Sequence, residues 1–481
     1  MSFEPVIGLE VHTQLQTASK LFCGCSTRFG APPNANTCPV CLGMPGALPV
    51  LNRHAVELAI KAALSLGCTV HSTSIFARKN YFYPDLPKGY QISQYDRPLA
   101  TDGALEFETG GEARRIGIIR VHLEEDAGKS LHDGQPDSDR MTALDFNRSG
   151  VPLIEIVSHP DVRSAADAGE YFSRMRAILV ATGVSDGNME EGSLRCDANV
   201  SVRRPGEGFG VKAEIKNLNS FRHVQRALEY EIDRQISLVE AGGTVEHETR
   251  LWDPAAARTL SMRSKEDAHD YRYFPEPDLP PLHVDVAAID AVRRTLPELP
   301  DARRRRFVAQ YGLPDYDAAL LTQSHALAAY FEATAAAAGN PKAASNWIMG
   351  ELTRKMNELG VRIDDQPLAP EALAGLIRLV DSGTISGPTA KDVFEQMYAS
   401  GRPAAAIVEA EGLGRIDDEA SVEAAVRKVM AAHGDAVTQY RAGKKQTYGF
   451  LVGQVIKSMG GKANPALVNA LMRRELDKDP A

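Results

Sequence analysis

The sequence predicts an α+β protein whose β content lies in its N-terminal part. Period-two alternation recurs through roughly the first 290 residues, and a proline cluster at Pro275, Pro277, Pro280 and Pro281 then breaks the pattern. Beyond Pro297 and Pro300 the chain is Ala-rich and helical in pattern to its end, with Asp301 placed to cap a helix containing Arg303 to Arg306. A length of 481 residues suggests three domains at about 150 residues each, and Gly401-Arg402-Pro403 offers the further break. No internal repeat or long low-complexity segment is present.

Hydrophobic residues make up 43% and charged residues 24%, which excludes collagen-like, disordered and disulfide-scaffold classes. No apolar run reaches the ~18 residues of a membrane span. The start, Met1 to Pro5, lacks a basic segment followed by an apolar core, so a cytoplasmic location is expected. The net charge of -9 excludes a wholly basic nucleic-acid coat. From Arg441 onward, however, eight lysines and arginines face three acids, a local balance of +5. Such a tail suits either a polyanion or a solvated helical surface.

Four of the six cysteines form two close pairs, Cys23-x-Cys25 and Cys38-Pro-Val-Cys41, separated by twelve residues. This spacing suits a tetrahedral four-thiolate zinc site, closed and therefore structural. Reduced, partly buried thiols are the alternative. Cys68 and Cys196 read as small core residues.

The strands decide which side chains share a face. In Val6 to His12, Ile7, Leu9 and Val11 point one way and Gly8, Glu10 and His12 the other. Residues two apart on a strand lie roughly 6–7 Å apart, so Glu10 and His12 could converge on one ion, with Gly8 leaving room. A polar edge strand would read the same. In Arg120 to Ser130, strict alternation puts His122 and Glu124 on the wet face, and Glu125 joins them only through a bulge. Val151 to Val157 is apolar on both faces except for Glu155, and a buried carboxylate is costly unless it meets a cation or donors. Arg148 could supply that charge as a plain ion pair. Ser193 to Arg203 alternates cleanly, with Arg195, Asp197 and Asn199 on the polar face. Lys212, Glu214 and Lys216 repeat the pattern on a following strand. The segment Arg78 to Tyr95 interleaves tyrosines with Lys79 and Lys88, which suits a nucleotide or an RNA end as well as aromatic packing under a loop.

Some motifs fail. Gly128-Lys129-Ser130 ends like a phosphate-binding loop, but the required first glycine falls at Leu123. No Gly-x-Ser-x-Gly elbow or convincing cysteine nucleophile appears. If ATP is handled, carboxylates, a metal and a sheet face must do it.

Taken together, Val6 to His12, Arg78 to Tyr95, His122 to Ser130, Asp145 to Asp161, Glu190 to Asn199, Lys212 to Phe221, Tyr271 to Asp278, Gly449 to Gln454 and Gly461 to Pro465 span nearly the whole chain. They resemble the B-subunit family of the bacterial tRNA-dependent amidotransferases, which act on misacylated Asp-tRNA(Asn) and Glu-tRNA(Gln). The resemblance implies an antiparallel-sheet cradle domain (1–292) holding a kinase and transamidase site, a helical domain (293–403) and a tRNA-binding tail domain (404–481). It implies a heterotrimer with an amidase A subunit, which frees ammonia from glutamine, and a small C subunit. The missing nucleophile then belongs to the partner.

The resemblance also implies the chemistry: ATP converts the substrate's side-chain carboxylate into an acyl phosphate, which ammonia displaces. By this likeness Glu10, His12, Glu125 and Glu155 would bind Mg²⁺, with Glu125 brought in by a bulge. Lys79 and Lys88 would be cationic helpers or line the ammonia path. Tyr81, Tyr83, Arg195, Asp197, Glu214 and Lys216 would shape the ATP and aminoacyl pocket. Several relatives lack the cysteine cluster, so any zinc is not required by the chemistry. His159 stands where relatives carry Glu before Pro-Asp, which touches no catalytic role. A non-catalytic tRNA-binding scaffold would explain the basic tail and the cysteines, but not Glu155. A stand-alone carboxylate–amine ligase would need no partner.

Overall fold

Alternating strands assemble into one nine-stranded sheet. Its members are β1 (Glu4–Gln14), β2 (Thr69–Val70), β3 (Ala100–Thr109), β4 (Glu112–Glu125), β5 (Pro152–Ser158), β6 (Leu194–Arg203), β7 (Ala213–Leu218), β8 (Glu248–Asp253) and β9 (Arg258–Ser264). The computed structural model describes residues 3–131, 140–264, 271–415, 418–460 and 462–478; Gly461 and Asp479, which enter the family likeness and the tail charge, lie outside them. The strand order is β9-β8-β7-β6-β1-β5-β4-β3-β2. Every neighbouring pair is antiparallel except β7 and β8. A parallel pair needs a long crossover, and helix α3 (Phe221–Glu240) provides it.

One face of this sheet is the core. Ile7, Leu9, Val11, Val121, Leu123, Ile154, Ile156, Ala198 and Val200 are all buried there. Helices α1 (Arg53–Ser65), α2 (Ala165–Ala181) and α3 cover it with Ala59, Ala63, Tyr171, Phe172, Met175, Val224 and Leu228. Side chains of Asn52, Ser164 and Ser220 cap the three helices by accepting from first-turn amides. The opposite face carries the polar residues. Cys68 and Cys196 are buried, as expected of small core residues.

The aromatic–basic segment folds into a hairpin. Its strands Phe76–Asn80 and Tyr90–Gln94 pair, and Phe274–Pro275 adds beside the first. Arg78 ties this small sheet together through two bonds to Glu276, at 2.7 and 2.8 Å.

The chain divides into two compact units, Met1–Pro300 and Asp301–Ala481. The first core takes in Val292 and Leu299, so it runs past the expected boundary at residue 292. The second unit is helical and contains two cores, one from Phe307 to Val408 and one from Val422 to Leu476. Ala404, Ile407 and Val408 pack in the former. Gly401, with φ of 70°, is therefore the C-cap of helix Gly387–Ser400 and a joint inside that core. Asp301 lies within the first turn of helix Pro300–Tyr311, favourable there for its charge.

Beneath the sheet, Glu231 is fully buried. It accepts from Arg234 at 2.6 Å, Thr259 at 2.8 Å and Gln235 at 2.9 Å, with Arg250 at 3.2 Å. Removing one partner from a buried charge network strands the others. Glu231→Ala should therefore cost about 3–5 kcal/mol in urea unfolding, and a cost below about 1 kcal/mol would show that the network is not what ties α3 to β8.

Candidate active site

Strand register builds the site. Arg195, His12, Glu155 and His122 lie directly opposite one another across β6, β1, β5 and β4. The neighbouring row holds Asp197, Glu10 and Arg120. Both rows face away from the core.

His12 Nε2 lies 3.4 Å from Glu155 and 3.9 Å from Glu124; His122 Nε2 lies 3.3 Å from Glu155 and 3.7 Å from Glu124. Burial alone would push the His12 imidazole down, but the hydrogen bond to Glu155 and the charges of Glu155 and Glu124 outweigh it and raise it to about 9. Burial also opposes the Glu155 charge, yet the two imidazoles hold its carboxyl well below the usual range. Glu10 differs. Burial and the like charges of Glu155, Glu214 and Asp197 raise it, and Asn199 Nδ2 donates to it at 2.9 Å. Lys216 pairs with Asp197 at 2.8 Å and Glu214 at 3.3 Å.

These groups floor a cavity of about 470 Å³, walled by Tyr81, Tyr83, Tyr95, Tyr271 and Tyr273. Tyr95 and Tyr273 stack with centroids 4.2 Å apart. Lys79 reaches in from the hairpin, 5.0 Å from the Tyr271 ring centroid. The His12, Glu124 and Glu155 ligand atoms all lie within 4.8 Å of one another, a spacing that one cation of ~2.1 Å ligand distance can draw together.

The expected bulge at Glu125 is absent. The pairing of β4 with β5 runs unshifted from Val121 to Glu125, so Glu124 keeps the wet face and Glu125 turns to the other side. There Glu125 pairs with Lys88 and accepts from the Ile92 amide at 2.9 Å. Lys88 and Glu125 thus leave the main cavity and line a separate one of about 130 Å³ with Cys23, Cys41 and Gly43. Arg148 does not meet Glu155; it donates to the carbonyls of Ala127 and Gly128 and flanks Asp126 at 3.7 Å. Glu10 stands outside the group formed by His12, Glu124 and Glu155. Lys212 is exposed and precedes β7. A methyl group at Gly8 would meet only Pro160, at 3.7 Å, so the room around His12 does not depend on that glycine.

Two buried residues are not evident from sequence pattern. Asp126, at the end of β4, accepts from Gln14 at 2.8 Å and Arg195 at 3.1 Å. Lys20 is fully buried, and its Nζ lies 2.7 Å from the Asn36 carbonyl and 3.6 Å from Cys41 Sγ. A lysine followed directly by Leu21-Phe22 is the one signal for it.

Two family models match the chain. The profile described as "GatB/GatE catalytic domain" matches residues 5–290, and that described as "GatB domain" matches 329–476. The B subunit of the aspartyl/glutamyl-tRNA(Asn/Gln) amidotransferase from Trichlorobacter lovleyi is 56% identical over 99% of this chain and 100% of its own length. The chain belongs to this family of amidotransferase B subunits. Proteins of the same name from Carboxydothermus hydrogenoformans and an Anaeromyxobacter strain are each 56% identical over 99% and 98% of this chain, and 99% of their own lengths. Among the described residues, no helix is long and apolar enough to cross a membrane.

In this family member the four clustered cysteines bring their sulfurs within 4.8 Å of one another, with Cys38 and Cys41 Sγ 3.9 Å apart. Sulfurs about 2.3 Å from a tetrahedral centre stand roughly 3.8 Å apart, so the cluster is compatible with a structural metal. Elemental analysis of untagged protein should find about one metal per chain, and chelation should lower its melting temperature. Metal-free protein with four freely titrating thiols would exclude the site.

Proposed function

We propose that this chain carries out the ATP-dependent half of transamidation on misacylated Asp-tRNA(Asn) and Glu-tRNA(Gln), in the cytoplasm. It would work as the B subunit of a heterotrimer with an amidase A subunit and a small C subunit. The observation that carries this reading is Glu155, a lone carboxylate in an otherwise apolar strand, set between two imidazoles under a cavity of lysines and tyrosines. A scaffold has no use for so costly an arrangement.

A carboxylate oxygen of the tRNA-bound Asp or Glu bonds to the γ-phosphorus of ATP as the bond to ADP breaks. Ammonia then attacks the acyl carbon, the bond to phosphate breaks, and nitrogen loses a proton. Phosphoryl transfer asks mainly for positioning and charge neutralisation. Lys79, half-buried beside the Tyr81 and Tyr271 rings, supplies one positive charge, and Lys216 a second. Tyr81, Tyr83 and Tyr273 give walls on which an adenine can stack. Asp197 and Glu214 orient Lys216. Mg²⁺, when bound, would be held by His12, Glu124 and Glu155 with Glu10 behind them, and would neutralise charge on the transferring phosphoryl group. We assign Lys88 and Glu125 to the approach of ammonia and Zn²⁺ to the cysteine cluster.

Glu155→Gln should lower ATP-dependent phosphorylation of the misacylated tRNA at least about a hundredfold, while glutamine hydrolysis by the assembled complex persists. Near-normal phosphorylation would remove Glu155 from the chemistry. In the same assay Lys88→Met should depress glutamine-driven amidation more than ammonia-driven amidation; equal loss would refute its assignment.

The third core is a separate packing unit, so truncation after Gly414 keeps the second core whole. The truncated chain should lose salt-dependent tRNA affinity, because the +5 tail goes, and keep its KM for ATP. Unchanged tRNA affinity would place tRNA binding elsewhere.

A further inference from the structure

A second large cavity, termed the rear cavity, shares no lining residue with the tyrosine-walled one. It measures about 600 Å³, and its lining includes Arg28, Phe29, Lys129, Asn147, Arg148 and Arg195. An intermediate cavity of about 280 Å³ joins the two: it shares His12, Lys79, Tyr81 and Asp197 with the tyrosine-walled cavity, and Arg148 and Arg195 with the rear one. The two guanidinium groups therefore stand at a neck through which a ligand in the rear cavity would reach His12.

The neck is built, with a buried anchor and open cations. Asp126 is 4% exposed and accepts from Arg195 Nη2 at 3.1 Å, Gln14 Nε2 at 2.8 Å and the Ala127 amide at 3.0 Å. Arg148 Nε lies 3.7 Å away on the same carboxylate. The side chains of Arg195 and Arg148 are 32% and 30% exposed, so both keep donors for a ligand. Around the rear cavity four cations, Arg28, Lys129, Arg148 and Arg195, stand against three acids, Asp145, Glu190 and Glu191, so the lining keeps a small positive excess. Arginine's planar fork matches a carboxylate better than a lysine does.

Phosphoryl transfer fixes which substrate lies where. The attacking and leaving oxygens must be roughly in line through phosphorus. If ADP leaves into the tyrosine-walled cavity, the attacking carboxylate must come by another route, and the neck, which reaches that cavity at His12, provides one. The mouth of the rear cavity also suits a nucleotide end. Phe29 is 66% exposed and offers a flat face for a base, and Arg28 beside it is exposed for a phosphate.

We infer that the rear cavity receives the aminoacylated adenosine end of the acceptor tRNA, and that Asp126 is a positioning residue that aims Arg195 at the acceptor's side-chain carboxylate. This rests on the transamidation reading above. It assigns the two substrates to two cavities joined through the neck that reaches His12.

The test measures amidation by the assembled complex while misacylated tRNA and ATP are varied separately. The double substitution Arg28→Ala/Phe29→Ala, at two exposed positions that should not affect folding, is expected to raise the KM for misacylated tRNA about tenfold. The KM for ATP should stay within about twofold. Asp126→Asn should lower kcat/KM for the acceptor at least about tenfold, again sparing the KM for ATP. A merely structural role for Asp126 would lower the melting temperature and depress both substrates alike. Variants that leave the acceptor's KM unchanged, or raise that of ATP instead, overturn the assignment while the wild-type complex stays active. A wild-type complex that consumes no ATP with any misacylated tRNA overturns the transamidation reading, and this inference with it.

Discussion

The burial of Glu155 constrains everything around it. Its strand, β5, lies between β1 and β4 and is apolar at nearly every other position. A charge there must be met from the two flanking strands, because its own strand offers no donor. His12 from β1 and His122 from β4 meet it at 3.4 and 3.3 Å. That contact fixes register on both sides at once. A slip of one residue in either flanking strand would turn the imidazole into the core and bring an apolar side chain to the carboxylate. The same register aligns Arg195 and Asp197 on β6 with His12 and Glu10, so the site is a consequence of the sheet's pairing.

The electrostatics differ from one row to the next. Around Glu155 and Glu124 the imidazoles supply compensation, and the Glu155 carboxyl is held low. One row away Glu10 faces Glu155, Asp197 and Glu214 with Asn199 as its donor, and it is pushed up. Two neighbouring carboxylates on one polar face are thus shifted in opposite directions. The two imidazoles outweigh burial at Glu155, whereas at Glu10 burial and the like charges of Glu155, Glu214 and Asp197 prevail. His12, Glu124 and Glu155 come within 4.8 Å of one another, a spacing that could hold a metal ion, and Glu10 stands outside that group.

Much of this was legible in the sequence, and the reasons are local. Alternation in Val6 to His12 and Ser193 to Arg203 is a backbone property, so the faces of β1 and β6 follow directly. The cost of burying Glu155 is equally local, and it pointed to the centre of the site. What alternation could not supply was tertiary pairing. It placed Glu124 on the wet face, and the family likeness then moved the assignment to Glu125 through a bulge that the continuous register does not contain. Arg148 was matched to Glu155 because it precedes that strand, but a turn carries it to the carbonyls of Ala127 and Gly128 instead. Asp126 and Lys20 show themselves mainly through partners more than ten residues away in the chain, Gln14 and Arg195 for the one and Asn36 and Cys41 for the other. The domain breaks were read from Pro and Gly, which end helices whether or not a core ends there. Gly401 ends a helix whose core continues through Val408.

The reverse side of the same strands ties the cysteine loop to the site. Because β4 runs straight to Glu125, that carboxylate emerges opposite Glu124, and Lys88 comes to it from the hairpin. Lys88 can take this course only because residue 43 is glycine: φ is +67°, and a β-carbon there would collide with the Lys88 side chain. Gly150, on β5's side, is favoured by its φ of +85° and not by a lack of space. A methyl group on it would lie 3.4 Å from Cys41 Cβ, 3.5 Å from Lys20 Cδ and 3.8 Å from Glu125 Oε2. Buried Lys20 then spans the Asn36 and Phe146 carbonyls and Cys41 Sγ, joining the loop to the segment that leads into β5. A metal on the four cysteines would therefore stiffen the wall against which Lys88 and Glu125 pair, although no cysteine reaches the chemistry. The two faces of one regular strand end thus part company: Glu124 turns towards His12 and His122, and Glu125 towards the loop.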